Sequence, residues 1–149
     1  MIPSIRARWF AVSVAALSLL AVGCGGPSAK DFARQGNAIC TSARTKAQAV
    51  PRAKDFPGLS RQSRATLAIV QNGVDRFHKL APPAEKKADF EHYLQLADQQ
   101  VALARQLPAA ADAKDVARIQ QLAGQGRAQQ TQIRPLFARL GFTECGKAG

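Results

Sequence analysis

Residues that favour strands are scarce in this chain. Ile and Val together number 14 of 149 residues, against 29 Ala and 14 Gln. That balance excludes a β-sandwich or a parallel sheet, which need β-branched residues on pleated faces, and favours helices. Side chains that do chemistry are as thin: two His, one Trp, one Tyr and one Met. There is no complete phosphate-binding loop G-x-x-x-x-G-K-S/T, no G-x-G-x-x-G, G-x-S-x-G, H-E-x-x-H or S-x-x-K, and no C-x-x-C-H haem attachment. Nor is there length for a two-lobed solute-binding protein or for most large enzymes; the chain is one domain's worth. Acid is short too, with 10 Asp+Glu against 21 Lys+Arg and a formal charge of +11. The apolar share of 46% is nonetheless enough for a packed core, which excludes global disorder. No reaction and no cofactor are legible.

A membrane-spanning run is also missing. Trp9 to Val22 is uncharged for 14 residues, about 21 Å as a helix against a hydrocarbon core of roughly 30 Å. Behind Arg6 and Arg8, it reads instead as the apolar region of an export signal. It closes on Leu20-Ala21-Val22-Gly23-Cys24, followed by Gly25-Gly26-Pro27-Ser28. These residues resemble a bacterial lipobox, where small residues precede a cysteine that takes a thioether-linked diacylglycerol and becomes the mature N-terminus. Ala21 stands where Leu is commonest. The alternative is an ordinary signal cleaved after Ala21-Val22-Gly23. Cysteine arithmetic favours lipidation: three thiols in an exported chain leave one unpaired, whereas acylation of Cys24 leaves Cys40 and Cys145 to pair. The expected boundaries are a signal over 1–23, lipidated Cys24 and a short tether over 24–30, and a bundle over 31–149. Loss of Arg6 and Arg8 lowers the charge to 19 − 10 = +9.

Proline and glycine cut the remainder into four segments of helical period. The first opens at Ser28 with Asp31 three residues on, a capping-box variant, and Pro51 stops it. Phe32, Gly36, Ile39, Cys40, Ala43, Ala47 and Val50 share its face. After a connector over 52–58, the second starts near Ser60 with Leu67, Val70, Val74, Phe77 and Ala81, up to Pro82-Pro83. The third carries Phe90, Leu94, Ala97, Val101 and Ala104, flanked by Tyr93, Leu96, Leu103 and Leu107, and ends at Pro108 and Ala109–Ala111. The fourth begins at Asp112, with Asp115 suited to the helix start, and repeats through Val116, Ile119, Ala123, Gly126, Gln130, Ile133, Phe137 and Leu140. Gly141 is placed to cap it, and Pro135 to kink or divide it. The fold class expected is all-α, an up-down-up-down four-helix bundle. That topology puts the start of the first helix and the end of the fourth at one pole. Cys145, five residues past Leu140, then has roughly 16 Å of extended reach, enough to meet Cys40. Their disulfide would close a loop on the order of 100 residues, with a ceiling of about 4–5 kcal/mol.

Two patterns bear on chemistry. Asp75-Arg76-Phe77-His78 and Asp89-Phe90-Glu91-His92 both read D-x-x-H on adjacent helices, as metal-binding bundles use E-x-x-H. A hairpin at Pro82-Pro83 would level Asp75 with Asp89, but it points His78 and His92 to opposite poles. No acid of the other helices comes to that level, and the four residues flank the core stripes. They read as solvated i,i+3 pairs rather than ligands, and no metal is expected. Positive charge comes in scattered pairs, Arg61/Arg64 and Lys86/Lys87, and in one string along the fourth helix: Arg127, Arg134 and Arg139. Without interleaved aromatics, and in an exported chain, it does not read as a nucleic-acid surface. Beside a membrane it would meet anionic lipid headgroups or anionic wall polymers, unless it serves solubility alone.

At the level of short motifs, the chain resembles small Ala-rich helical lipoproteins exported by high-GC Gram-positive bacteria. The residues that carry the likeness are the lipobox ending at Cys24, Ala38-Ile39-Cys40, Leu80-Ala81-Pro82-Pro83-Ala84 and Leu140-Gly141-Phe142-Thr143-Glu144-Cys145. The resemblance implies a bundle, a disulfide and surface anchoring, and no activity. The expected function is therefore non-enzymatic: an envelope lipoprotein held to the membrane through Cys24, serving as an interaction or surface-binding module for an unidentified protein partner. The alternative is a bundle that takes a small apolar ligand or a metal ion, in a cavity lined by Phe77, Phe90 and Phe137.

Overall fold

A computed structural model describes residues 27–147. Over that range the protein is helical, with no strand among the described residues. The elements are α1 (Ala29–Gln48), α2 (Phe56–Phe77), a 3-10 turn (Ala84–Lys86), α3 (Lys87–Ala104), α4 (Leu107–Asp112) and α5 (Val116–Leu140). Three starts carry side-chain caps, which satisfy amides that have no partner inside the helix. Ser28 Oγ accepts from the Asp31 amide at 3.0 Å, Asp55 Oδ1 from Gly58 at 2.6 Å, and Asp115 Oδ1 from Arg118 at 2.9 Å. Gly141, at φ 80°, ends α5 in the left-handed conformation that glycine adopts without a Cβ clash.

Helix α1 packs on α2, α2 on α3 and α4, and α5 on α3 and α4. Between them lies a core of Phe32, Ile39, Val74, Phe77, Phe90, Tyr93, Leu96 and Val101, joined by Ile133, Leu136 and Leu140. The aromatic members meet largely edge-on or tilted, with Phe32–Phe90 and Phe77–Tyr93 centroids each 5.0 Å apart. Burial pushes the Tyr93 phenol pKa up.

Five expectations need correction. Pro108 does not end a segment: it sits in the first turn of α4, where a missing amide N–H costs nothing. The alanines after it are helical, and Ala110 and Ala111 are buried. The last long helix consequently starts at Val116 rather than Asp112, which closes α4. Pro135 does not divide α5; it lies on the exposed side of a helix that runs unbroken to Leu140. The face of α5 buries Ile133 and Leu140 as expected, but it is turned toward Leu122 and Leu136. Leu122 and Leu136 are buried, whereas Val116 is 51% exposed and Ala123 and Gln130 are exposed. Burying two leucines in place of a valine and an alanine removes more apolar surface from water. Ala47 and Ala81 are likewise exposed, the latter lying beyond the end of α2.

The segment after α5 is part of the core. Phe142 is fully buried, its ring 5.1 Å from Phe32 and 5.4 Å from Phe77. One face of α1 receives it. Gly36 leaves room for the ring, Asn37 Nδ2 donates to Gly141 O at 3.1 Å, and Asn37 Oδ1 accepts from the Glu144 amide at 2.8 Å. Further along, Arg44 Nη1 donates to Glu144 O at 2.9 Å. Positions 36, 37, 40 and 44 follow helical spacing, so the tail lies along α1 as a strap.

Candidate functional site

Cys24 and the residues before it lie outside the described range, as does the whole export signal. Cys40 and Cys145 do not: their sulfurs stand 1.93 Å apart and their Cα atoms 5.0 Å, across 105 residues of chain. Beside them, Glu144 accepts from Lys147 Nζ at 2.5 Å and from Arg44 Nη2 at 2.9 Å. Those two donors, Lys147 first, hold its carboxyl pKa below the usual carboxylate range.

The D-x-x-H residues are not brought together. His78 Nε2 lies 2.9 Å from Asp98 Oδ1, a pairing across α2 and α3 that the sequence reading did not single out. Asp89 Oδ2 accepts from Arg139 Nε at 3.0 Å, and Asp75 and His92 are exposed. Among the described residues no group of three or more His, Cys, Asp or Glu could hold a metal ion. The arginine string does not form one face. Arg127 and Arg134, seven residues apart, are exposed along one line, whereas Arg139 is turned toward α3 by its pairing with Asp89. The aromatic cavity is not seen either: Phe77 and Phe90 pack against Phe142, and Phe137 against Tyr93 at 5.7 Å.

Open space lies instead at the surface. A groove of about 490 Å³ runs between α1 and α2, with Ala47, Val50, Ile69 and Val70 among its lining and Arg52 at its edge. A second hollow of about 410 Å³ continues from it past Arg52 to Lys54 and Arg61. Elsewhere, glutamines from α3 and α5 line a shallow groove, where the buried Gln129 Oε1 has no hydrogen-bond partner. A smaller apolar groove of about 370 Å³ lies among α3, α4 and α5, lined in part by Leu107, Ile119 and Leu122.

Of the cations at the α1–α2 groove, only Arg61 stands out in sequence, paired with Arg64; Arg52 and Lys54 lie in the connector, outside any one helix. A signal was present: residues 44–64 hold six Lys or Arg and a single acid, Asp55. Compared with known proteins, the chain matches no family model, no curated protein and no solved structure.

Proposed function

We propose that this is a non-enzymatic envelope protein, exported by the signal over 1–23 and anchored to the outer face of a bacterial cell membrane by lipid on Cys24. The observation that carries the reading is the order of parts at the N-terminus: Arg6 and Arg8, an uncharged run, and Ala21-Val22-Gly23-Cys24. The Cys40–Cys145 pair supports it, since it leaves Cys24 as the one cysteine without an intramolecular partner. Among the described residues no helix is long and apolar enough to cross a membrane, so in this reading attachment falls to the lipid. One acyl chain binds a membrane marginally and several bind it stably, which fits a diacylglyceryl cysteine.

In the same reading the helices alternate up-down-up-down. Ile39 lies beside Gly73 while Ala47 and Thr66 line one groove, and Arg139 meets Asp89 while Gly126 approaches Leu103. The domain would act as an interaction or surface-binding module, in keeping with the Ala-rich lipoproteins of high-GC Gram-positive bacteria that it resembles. Its basic surface would meet anionic lipid or wall polymer.

Intact mass of the protein from host membranes tests the anchor. The expected product begins at Cys24 and carries a diacylglyceryl adduct, and Cys24→Ser abolishes it. A wild-type product beginning at Cys24 without lipid overturns the reading.

A further inference from the structure

Two properties meet in the groove between α1 and α2. Its apolar floor is built from Ala47 of α1, Val50 just past that helix, and Ile69 and Val70 of α2, with Gln48, Gln62 and Thr66 beside them. Its edge, continued into the adjoining hollow, carries Arg52, Lys54 and Arg61, all exposed. Of the acids nearby, Glu144 pairs with Arg44 and Lys147; Asp55 caps α2 through Oδ1 and is the one carboxylate lining the second hollow, against the three cations Arg52, Lys54 and Arg61. Arg52, Lys54 and Arg61 form no ion pair among the described residues. A purely apolar ligand would leave these three cations unanswered, and a small hydrated anion would gain nothing from the floor. A nucleic acid would find no aromatic side chain there on which to stack a base.

We infer that this groove binds a single-chain amphiphile with a carboxylate head, the chain along the floor and the head among Arg52, Lys54 and Arg61. The volumes of about 490 and 410 Å³ fall within the range of small-molecule sites. The guanidinium groups of Arg52 and Arg61 are suited to paired hydrogen bonds with a carboxylate. The site does not depend on the lipid anchor, so the two readings stand or fall separately.

Titration calorimetry on the full chain carrying Cys24→Ser, with dodecanoate and dodecanol as probes, tests the inference without detergent. Dodecanoate should bind about ten-fold tighter than dodecanol, a difference of about 1.4 kcal/mol. Arg52→Glu with Arg61→Glu should erase that preference and leave dodecanol binding as it was. Ala47→Trp fills the floor from an exposed position, so the fold should accept it, as circular dichroism will show; it should weaken both probes about ten-fold or more. Equal affinity for the two probes in the parent protein overturns the inference. So does dodecanoate binding that Ala47→Trp leaves unchanged, since the ligand would then sit elsewhere, for instance on the apolar run over 9–22.

Discussion

Gly36 has no side chain, and the ring of Phe142 takes the space one would need. A Cβ at Gly36 would stand 2.2 Å from Phe142 Cε1. The ring cannot retreat, being fully buried among Phe32, Phe77, Phe90 and Tyr93. Gly36→Ala should therefore destabilise the domain by about 1–3 kcal/mol through overpacking, despite the better helix propensity of alanine. Phe142→Ala should cost about 3–5 kcal/mol by leaving a cavity. The two losses should not add, since a smaller residue at 142 relieves the clash at 36, and urea unfolding of both singles and the double measures that coupling. Lys114 presents the opposite case. It holds φ 55° between α4 and α5, a conformation in which an L side chain is strained. Lys114→Gly should raise stability by about 0.5–1 kcal/mol in the same unfolding measurement, the relief exceeding the added freedom of the unfolded chain.

The strap over 141–147 behaves as an element although it has no regular structure. It is fastened to α1 by the Asn37 hydrogen bonds, the Arg44–Glu144 pairing and the Cys40–Cys145 sulfurs. Replacing both cysteines with serine should cost at most about 4–5 kcal/mol, the loop-entropy ceiling for a closure of this length. The remaining fasteners act on the native state alone, so the strap should stay docked in that variant while its amides exchange faster. Acid should loosen it as well. The Glu144 carboxyl pKa is lower folded than its ordinary 4.5, so its contribution is present above 4.5 and lost as pH falls through the folded value. The protection of the Glu144 amide, its exchange taken relative to the intrinsic rate at each pH, should fall in the wild type as pH drops from 4.5 through the folded value, and Glu144→Gln should remove that fall. The long helices were legible because apolar residues recur at three and four along each of them, between residues that cap and break helices. The return of the strap to α1 was legible in the reach of Cys145 to Cys40, but the burial of Phe142 was not, because nothing local marks it; its ring partners lie on α1, α2 and α3, far off in sequence. Helix α4 was obscured for a related reason: Pro108 followed by alanines serves equally as a helix end and as a helix start.

At the scale of the molecule, little of the candidate site could be read in advance. The D-x-x-H pairs caught the eye by spacing, yet His78 and Asp89 found partners on other helices. The groove between α1 and α2 draws its cations from a connector and a helix start, which come together only in the folded chain. Charge, in contrast, is visible in composition, and +9 on the chain from Cys24 onward raises the question of what it faces. Arg127 and Arg134 form one exposed line on α5, whereas Arg139 is committed to Asp89. If that line meets an anionic membrane or wall polymer, the full chain with Cys24→Ser should bind vesicles containing anionic lipid and ignore neutral ones. Each arginine near the surface contributes about 1 kcal/mol, so Arg127→Glu with Arg134→Glu should weaken binding by about ten-fold or more. The attraction acts within a Debye length of about 8 Å at physiological salt, so affinity should fall steeply as salt rises. Arg139→Glu belongs in the series as a contrast, because it also sets two acids face to face at Asp89 and should register in the unfolding midpoint before it registers on vesicles. Sedimentation with both vesicle types across a salt series measures all of this. Equal binding to neutral and anionic vesicles, or none to either, would leave Arg127 and Arg134 with solubility as their role.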